Sequence, residues 1–190
     1  MARVTFGNPA IRVASILIVA VMLFAGCSNS PLESPADNSD SQQPALLGRT
    51  AAAVTAAQLN ASIFHAEEVI SAAEGGRLTL FDVIMDIPPG ALNSDTLFSI
   101  DIPDLTVFYN EFGTSGLVFN KPVTVTMSYR DADLSQVVES TIRIAFFDPE
   151  TQQYEDVECQ LDMDNMTVTA ELHHFSAYGL ISDWRTGFPL

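Results

Sequence analysis

Cysteine and histidine are the residue types of this chain that most readily bind metals or act as nucleophiles. The sequence has two cysteines, Cys27 and Cys159, and three histidines, and their spacing matches no zinc site. If the thiol of Cys27 is covalently modified, Cys159 has no cysteine left to pair with, so we expect no disulfide. The run EDVECQL predicts that Cys159 is a small, buried or half-buried side chain of a strand. No nucleophile elbow or phosphate loop occurs, so the sequence predicts no cofactor.

Two acidic segments resemble the start of a calcium-binding loop. In the segment DADLS, residues 131–135, Gln136 follows where a glycine is required, and Ile142 stands where a bidentate glutamate is required. The segment DMDN, residues 162–165, fails likewise with Thr167 at the glycine position. Both segments are interpreted as solvated turns. Weak calcium binding by loop carboxylates is the alternative.

The first 27 residues predict an exported precursor. Arg3 and Arg12 are the only charged residues before an uncharged, apolar run of 14 residues, Val13–Gly26. As a helix this run would be about 21 Å long, shorter than the roughly 30 Å hydrocarbon core of a bilayer. A basic start, a short apolar stretch and small residues before a break are typical of a secretory signal peptide.

The end of this segment, LFAGC, resembles the lipobox of bacterial lipoproteins, although Phe24 stands where that motif prefers leucine. The resemblance implies that residues 1–26 are removed as a signal peptide and that Cys27 is lipidated, palmitate included, and anchors the chain to a membrane. The alternative is an ordinary signal peptide that is cut near Ala25. Ser28 favours the outer over the inner membrane of a Gram-negative cell envelope.

The chain is strongly acidic after the signal segment. Two of the eight basic residues and none of the 24 acidic residues precede Cys27, which leaves a formal net charge of −18. Such a charge repels phosphate backbones, so nucleic acid is excluded as a partner. The expected partners are the membrane, through the lipid on Cys27, and an envelope protein or polysaccharide.

Residues 27–66 are predicted to form a lipid-anchored, flexible linker. The part up to about residue 48 is rich in Ser, Pro, Asn and Asp and cannot bury enough apolar surface to offset its ordering entropy. A disordered chain of about 40 residues has an end-to-end distance of about 35 Å, enough to hold a domain clear of the headgroups. The alanine-rich segment favours a short helix near residues 50–65. His65, at its end, is expected to be exposed and structural.

From about Glu68 onward, apolar and polar residues alternate. PVTVTMSY places Val123, Val125 and Met127 on one face, and TIRIAFF and MTVTAEL alternate in the same way. Turn sequences such as EGG, PPG and DPE separate these runs. Alternation indicates antiparallel strands with one buried face, and seven or more short strands predict an all-β, antiparallel β-sandwich. Its predicted bounds are residues 67–185, followed by a tail, 186–190.

Three segments of this region resemble a ZU-five-type domain, the β-sandwich module of zonula occludens, ankyrin and netrin-receptor proteins. They are GGRLTLFDVIMDIPPGAL (Gly75–Leu92), FGTSGLVFNKPVTVTMSY (Phe112–Tyr129) and HFSAYGL (His174–Leu180). In IPPGAL two prolines end a strand, and Gly90 supplies the backbone angles of the turn. The resemblance covers roughly residues 68–182. It implies a module that mediates interactions and has no general enzymatic activity.

The triplet His174-Phe175-Ser176 matches the site at which some ZU-five proteins, and a nuclear-pore domain, cut their own chain. The resemblance implies that Ser176 Oγ attacks the Phe175 carbonyl, with His174 as the general base or as the proton donor to the departing nitrogen. A peptide strained by the fold would lower the barrier. The alternative is a structural strand in which Phe175 and Ala177 fill the core while His174, Ser176 and Tyr178 face outward. His173 is an equal candidate for the imidazole that acts, and if the motif is structural neither histidine is catalytic.

The sequence therefore leaves three functions open. The leading one is a non-enzymatic lipoprotein that displays one β-sandwich interaction module. The second is a module that cuts itself between Phe175 and Ser176. The third is an envelope protein that binds or hydrolyses glycans, and hydrolysis would require two carboxylates roughly 5–10 Å apart in a cleft.

Overall fold

The computed structural model describes residues 44–59 and 64–184. The predicted signal peptide, Cys27 and the predicted tail lie outside the described residues. The described part contains a helix α1 (Ala51–Gln58), a 3-10 helix (Glu139–Thr141) and twelve strands. The strands are β1 (Ala45–Leu46), β2 (His65–Ile70), β3 (Gly76–Leu80), β4 (Val83–Ile87), β5 (Thr96–Asp101), β6 (Tyr109–Gly113), β7 (Val118–Ser128), β8 (Arg143–Asp148), β9 (Gln153–Asp156), β10 (Cys159–Asp162), β11 (Thr167–His174) and β12 (Ala177–Ser182).

Within the described residues, these strands form two antiparallel sheets. The seven-stranded sheet has the order β2-β5-β6-β12-β8-β9, and β1 also pairs with β12. The five-stranded sheet has the order β10-β11-β7-β4-β3. The two sheets form a sandwich, so the all-β, antiparallel β-sandwich predicted from the alternation is confirmed.

The predicted inward faces of β7 and β11 form the core, whereas the prediction for β8 is wrong in part, because Ala145 is 0% exposed and Phe146 is only half-buried. Val123, Val125 and Met127 of β7 are at most 1% exposed, while Thr124 and Thr126 are half-buried on the other face. The matching residues of β11 are also buried, and β7 is its neighbour in the sheet. Two-residue alternation is the geometric signature of a strand with one buried face, and in β7 and β11 it identified the core side chains correctly.

Strand pairing begins before residue 67, the start of the sandwich expected from the sequence. Ala45 pairs with Ser182 and Leu46 with Ile181, so β1 adds to the middle of the seven-stranded sheet. The helix α1 follows, within the stretch where the sequence favours a short helix. The Thr50 side chain accepts a hydrogen bond from the Ala53 N–H at 3.3 Å and caps the helix. We call residues 45–49 the N-terminal arm.

The arm ends on a buried arginine. Arg49 Nη2 donates to Asp82 Oδ2 at 2.5 Å, in the turn between β3 and β4. Its Nη1 donates to the Val107 carbonyl, and the guanidinium lies 4.0 Å from the ring centroid of Phe108. The two charged side chains are 0% and 9% exposed. Burial raises the pKa of Asp82, although the Arg49 charge acts in the opposite direction.

The turn glycines predict different costs for an added methyl group. Gly75 and Gly116 both have positive φ, +71° and +79°. A Cβ on Gly75 would lie 2.2 Å from the Ile87 carbonyl oxygen, whereas a Cβ on Gly116 meets nothing within 4 Å. We expect Gly116→Ala to lower the free energy of unfolding by about 1–2 kcal/mol, because alanine is strained in the left-handed backbone conformation. Gly75→Ala should lower it clearly more, because the added Cβ also collides with the Ile87 carbonyl oxygen. Urea unfolding measures both, and equal costs would contradict the close approach at Gly75.

Candidate functional site

The triplet His174-Phe175-Ser176 lies where the chain crosses from one sheet to the other. His174 ends β11 in the five-stranded sheet, and Ala177 begins β12 in the seven-stranded sheet. Phe175 and Ser176 are therefore a two-residue link between the sheets. We refer to these two residues as the crossover link.

The backbone of the crossover link is held by β6 and by the loop between β6 and β7. The Phe175 N–H donates to the Leu117 carbonyl at 3.0 Å, and the Phe175 carbonyl accepts from the Gly116 N–H at 3.1 Å. The Ser176 carbonyl accepts from the Phe112 N–H at 3.0 Å. The peptide bond between Phe175 and Ser176 is thus flanked on both sides by backbone hydrogen bonds.

The side chain of Phe175 fixes the link in the core. It is 1% exposed, and its ring centroid lies 4.6 Å from that of Phe98 and 4.7 Å from that of Phe119, both in edge-on geometry. Phe112 is the third aromatic neighbour, at 6.0 Å. Edge-on pairs at these separations stabilise beyond the area that they bury. The link therefore has little freedom to move.

The predicted catalytic side chains are not joined by a hydrogen bond in the described part of the chain. His174 is exposed, and its Nδ1 lies 3.4 Å from the Tyr178 hydroxyl, which donates to the His174 carbonyl at 3.0 Å. Burial raises the pKa of Tyr178 to about 12, so this hydroxyl stays protonated and acts as a donor at neutral pH. Ser176 is half-buried, and neither Phe175 nor Ser176 has a positive φ.

The alternative in which His174, Ser176 and Tyr178 share an outward face is wrong in part. Tyr178 is 2% exposed and stacks on Phe112 at 5.6 Å between ring centroids. The two residues of the crossover link interrupt the alternation, so the pattern of β11 does not continue into β12. Phe175 is buried, as that alternative expected, and Ala177 is half-buried.

Ser176 also lines a cleft of about 330 Å³ that involves strands β5, β6, β8 and β12 of the seven-stranded sheet. The rings of Tyr109 and Phe147 form part of its lining, and their centroids lie 6.2 Å apart with an interplanar angle of 81°. The carboxylates of Asp101 and Glu111 also line it. We call this feature the aromatic cleft. It combines apolar faces with negative charge at one site.

Strand register brings the two carboxylates together. Asp101 of β5 pairs directly with Glu111 of β6, and Glu111 pairs on its other side with Ala177. His65, the first residue of β2, pairs with Asp101, and its Nδ1 lies 2.6 Å from Asp101 Oδ1. Burial, with the Glu111 charge as a smaller cause, raises the pKa of Tyr109.

The His65–Asp101 contact predicts a pH dependence. The hydrogen bond to Asp101 raises the pKa of His65 above its ordinary value of about 6.5. Because the folded-state pKa is raised, the contribution to stability is complete below the unfolded-state pKa and is lost as pH rises through the folded-state value. We expect an NMR titration of the imidazole to show this raised pKa, and Asp101→Asn to lower it. Asp164→Asn, in an exposed turn of the other sheet, is the control, and an equal effect of both variants would contradict the assignment.

The free cysteine and the two acidic turns that the sequence singled out lie outside the aromatic cleft and the crossover link. Cys159 lies in β10 and is half-buried, as the sequence predicts. Its thiol is free, and it lies beside an open groove of about 620 Å³ that His173 also lines. Asp133 and Asp162 accept hydrogen bonds from the backbone N–H groups of Ser135 and Asn165 within their own turns. Within residues 44–59 and 64–184, no group of three or more His, Cys, Asp and Glu side chains could hold a metal ion.

The aromatic cleft was missed by sequence reasoning. Tyr109 and Phe147 are 38 residues apart in sequence, and β12 lies between their strands in the sheet. His65, expected from the sequence to be exposed and structural, has a 49% exposed side chain and is paired with Asp101, a partner that the sequence did not indicate. No local pattern reports these contacts, since each depends on the order and register of the strands. The aromatic residue types at Tyr109 and Phe147 are visible in the sequence, but their half-burial on the outer face of one sheet is not.

Together, the fold and the cleft define an antiparallel β-sandwich with an acidic, aromatic-lined cleft on one sheet. No protein-family model matches the chain, and no curated protein sequence matches it significantly. In the described part, no helix has the length and apolar character needed to cross a membrane.

Proposed function

We propose that the protein is an extracytoplasmic lipoprotein, anchored through a lipid on Cys27, whose ZU-five-like β-sandwich is a non-enzymatic interaction module. The aromatic cleft is the observation that supports the interaction role. It presents the rings of Tyr109 and Phe147 outside the core, with carboxylates beside them. Aromatic side chains with a few convergent polar groups in a cleft are typical of binding sites.

The anchor is supported by the basic start, the apolar run and the LFAGC sequence, and its test is an intact mass. Protein purified from membranes of a Gram-negative host is expected to have the mass of residues 27–190 plus a lipid increment. Cys27→Ala removes the acceptor thiol and is expected to abolish the increment. Cys159→Ala is the matched control, because it removes the other thiol and should leave lipidation unchanged. An unlipidated wild-type chain would refute the anchor.

The interaction role is tested by capture of cell-envelope components on the immobilised, full-length protein. The double variant Tyr109→Ala/Phe147→Ala is expected to lose the captured component, because it removes both rings of the cleft. Phe64→Ala serves as the control, since Phe64 is 39% exposed and is not among the residues that line the cleft. If the wild-type protein captures nothing under any condition, the interaction role is wrong.

Self-cleavage between Phe175 and Ser176 is a second candidate, and the position of the crossover link favours it. The Phe175 carbonyl already accepts the Gly116 N–H at 3.1 Å, which places one donor where negative charge would develop during attack. Ser176 Oγ would add to the Phe175 carbonyl carbon and lose its proton to His174. The C–N bond would then break, the nitrogen would take that proton, and water would hydrolyse the resulting ester.

The same intact-mass experiment, run under denaturing conditions, tests self-cleavage. Cleavage gives a lipidated fragment 27–175 and a peptide 176–190, and Ser176→Ala should leave a single full-length species. His174→Ala should slow the reaction, whereas His173→Ala tests whether the neighbouring imidazole acts in its place. If the wild-type chain never yields the two fragments, this candidate is rejected and the interaction role is unaffected.

A further inference from the structure

The chemistry of the aromatic cleft narrows the kind of partner that it could bind. Its walls include the rings of Tyr109 and Phe147, and the ring of Tyr154 extends the aromatic surface, 5.3 Å from that of Phe147. None of the residues that line the cleft is a lysine or arginine. The faces of aromatic rings carry partial negative charge and attract cations. The cleft therefore combines two kinds of group that favour a cation, namely aromatic rings and the carboxylates of Asp101 and Glu111.

The carboxylates of the cleft are arranged at an energetic cost. Asp101 and Glu111 lie directly opposite each other on neighbouring strands, and like charges in this register destabilise a sheet. His65 hydrogen-bonds to Asp101, but no ion pair within residues 44–59 and 64–184 involves Glu111. A positive charge supplied from outside would relieve the repulsion.

Within residues 44–59 and 64–184, no lysine or arginine forms an ion pair with Asp101 or Glu111. The ion pairs that arginines do form lie away from the cleft. These pairs are Arg49–Asp82, Arg77–Asp86, Arg143–Asp156 and Arg143–Asp183. The formal charge of −18 after the predicted cleavage site also attracts cationic partners over longer distances. Charge complementarity therefore points to a basic ligand.

We propose that the aromatic cleft binds a lysine or arginine side chain presented by a protein partner. The charged group would lie beside Glu111 and Asp101, and the alkyl stem would pack on the rings of Tyr109 and Phe147. A volume of about 330 Å³ is at the lower end of the range for small-ligand pockets, so the cleft suits a side chain. This inference rests on the proposed interaction role and specifies the chemistry of the partner.

The test uses the full-length protein in an uncharged detergent and a fluorescent peptide, Gly-Lys-Gly-Lys-Gly, blocked at both ends. The matched probe is the same peptide with both lysines acetylated, which keeps the stem and removes the charge. We expect the lysine peptide to bind about five-fold more tightly than the acetylated peptide, the upper end of the ratio that one exposed cation–π contact supplies. Fluorescence anisotropy measures both affinities.

Three variants locate the site. Tyr109→Leu and Phe147→Leu remove the rings and keep apolar side chains, and Glu111→Gln removes one charge. Each is expected to weaken binding of the lysine peptide about three- to five-fold. Glu171→Gln is the control, because Glu171, like Glu111, is an exposed glutamate, but it lies on the other sheet and its substitution should leave binding unchanged. Thermal unfolding of each variant checks that the fold is intact.

Two results would overturn the inference. Equal weakening by Glu111→Gln and Glu171→Gln would show diffuse charge attraction instead of a site, and equal affinity for the two peptides would show that the cleft ignores the cation. Capture of a polysaccharide by the wild-type protein, together with either result, would leave the interaction role standing with a different partner. Failure of the proposed function itself is recognised separately, by the absence of any captured component.

Discussion

Replacing Arg49 with alanine is expected to lower the free energy of unfolding by about 3–5 kcal/mol. The substitution leaves Asp82 buried without its counter-charge, and the Arg49 guanidinium is 0% exposed in the native protein. It also removes the hydrogen bond to the Val107 carbonyl and the cation–π contact with Phe108. Chemical denaturation monitored by circular dichroism measures the loss.

A surface pair provides the matched control for this experiment. Arg77 Nε donates to Asp86 at 2.6 Å, but the two side chains are 64% and 45% exposed. Because exposed pairs contribute about 0–1 kcal/mol, Arg77→Ala should have a small effect. Similar losses for Arg49→Ala and Arg77→Ala would show that the buried pair is not the source of the stability.

A double variant separates the buried charge from the lost contacts. Arg49→Met/Asp82→Leu removes both charges and keeps apolar volume, and it is expected to recover most of the stability lost in Arg49→Ala. The recovery follows because the unpaired carboxylate, and not the missing guanidinium, carries most of the cost. A double variant as unstable as Arg49→Ala would contradict this account of the buried charge. If the chain is anchored at Cys27 as proposed, the arm that ends at Arg49 also connects the anchor to the sandwich.

Replacing Phe175 with alanine is expected to cost about 3–5 kcal/mol, as for other fully buried phenylalanines. The ring is 1% exposed and contacts Phe98, Phe112 and Phe119, so its loss leaves a cavity between the two sheets. The ring also fixes the position of the crossover link. The backbone hydrogen bonds of the link to Leu117 and Gly116 depend on that position. Urea unfolding measures the change.

Phe64→Ala is the control for the Phe175 experiment. Phe64 is 39% exposed, and its backbone carbonyl keeps the hydrogen bond from the Ile102 N–H after the substitution. We expect this variant to lose well under half of the stability that Phe175→Ala loses. A small effect at Phe175 would mean that the aromatic cluster does not hold the link, and it would weaken the support for self-cleavage at that peptide bond.

The fold class was predictable because it depends on local pattern. Val123, Val125 and Met127 alternate with polar residues in sequence, and a strand places alternate residues on opposite faces whatever sheet it joins. The turns were predictable for a similar reason. Gly90 has φ of +78°, a backbone angle that glycine adopts without a steric cost. Proline and glycine report such turns in sequence without reference to the rest of the chain.

The beginning of the folded part was not predictable in the same way. Residues 45–49, ALLGR, directly follow a segment rich in Ser, Pro, Asn and Asp and are too short to show a strand pattern, yet they pair with β12 and bury Arg49 against Asp82, 33 residues later. The free energy that orders this arm comes from partners that are distant in sequence. Composition describes only the segment itself, so it favoured a linker there.

The sequence by itself determined the class of fold, the inward faces of β7 and β11 and the turns between strands, because periodicity and turn chemistry are local. It also supplied the signals for export and for Cys27, which stay predictions. Only the tertiary structure decided that Phe175 and Ser176 link the two sheets, that Tyr178 is buried, and that Asp101, Glu111, Tyr109 and Phe147 share a cleft. These facts depend on strand order and register, which are set by the packing of the whole chain and leave no trace in any single segment.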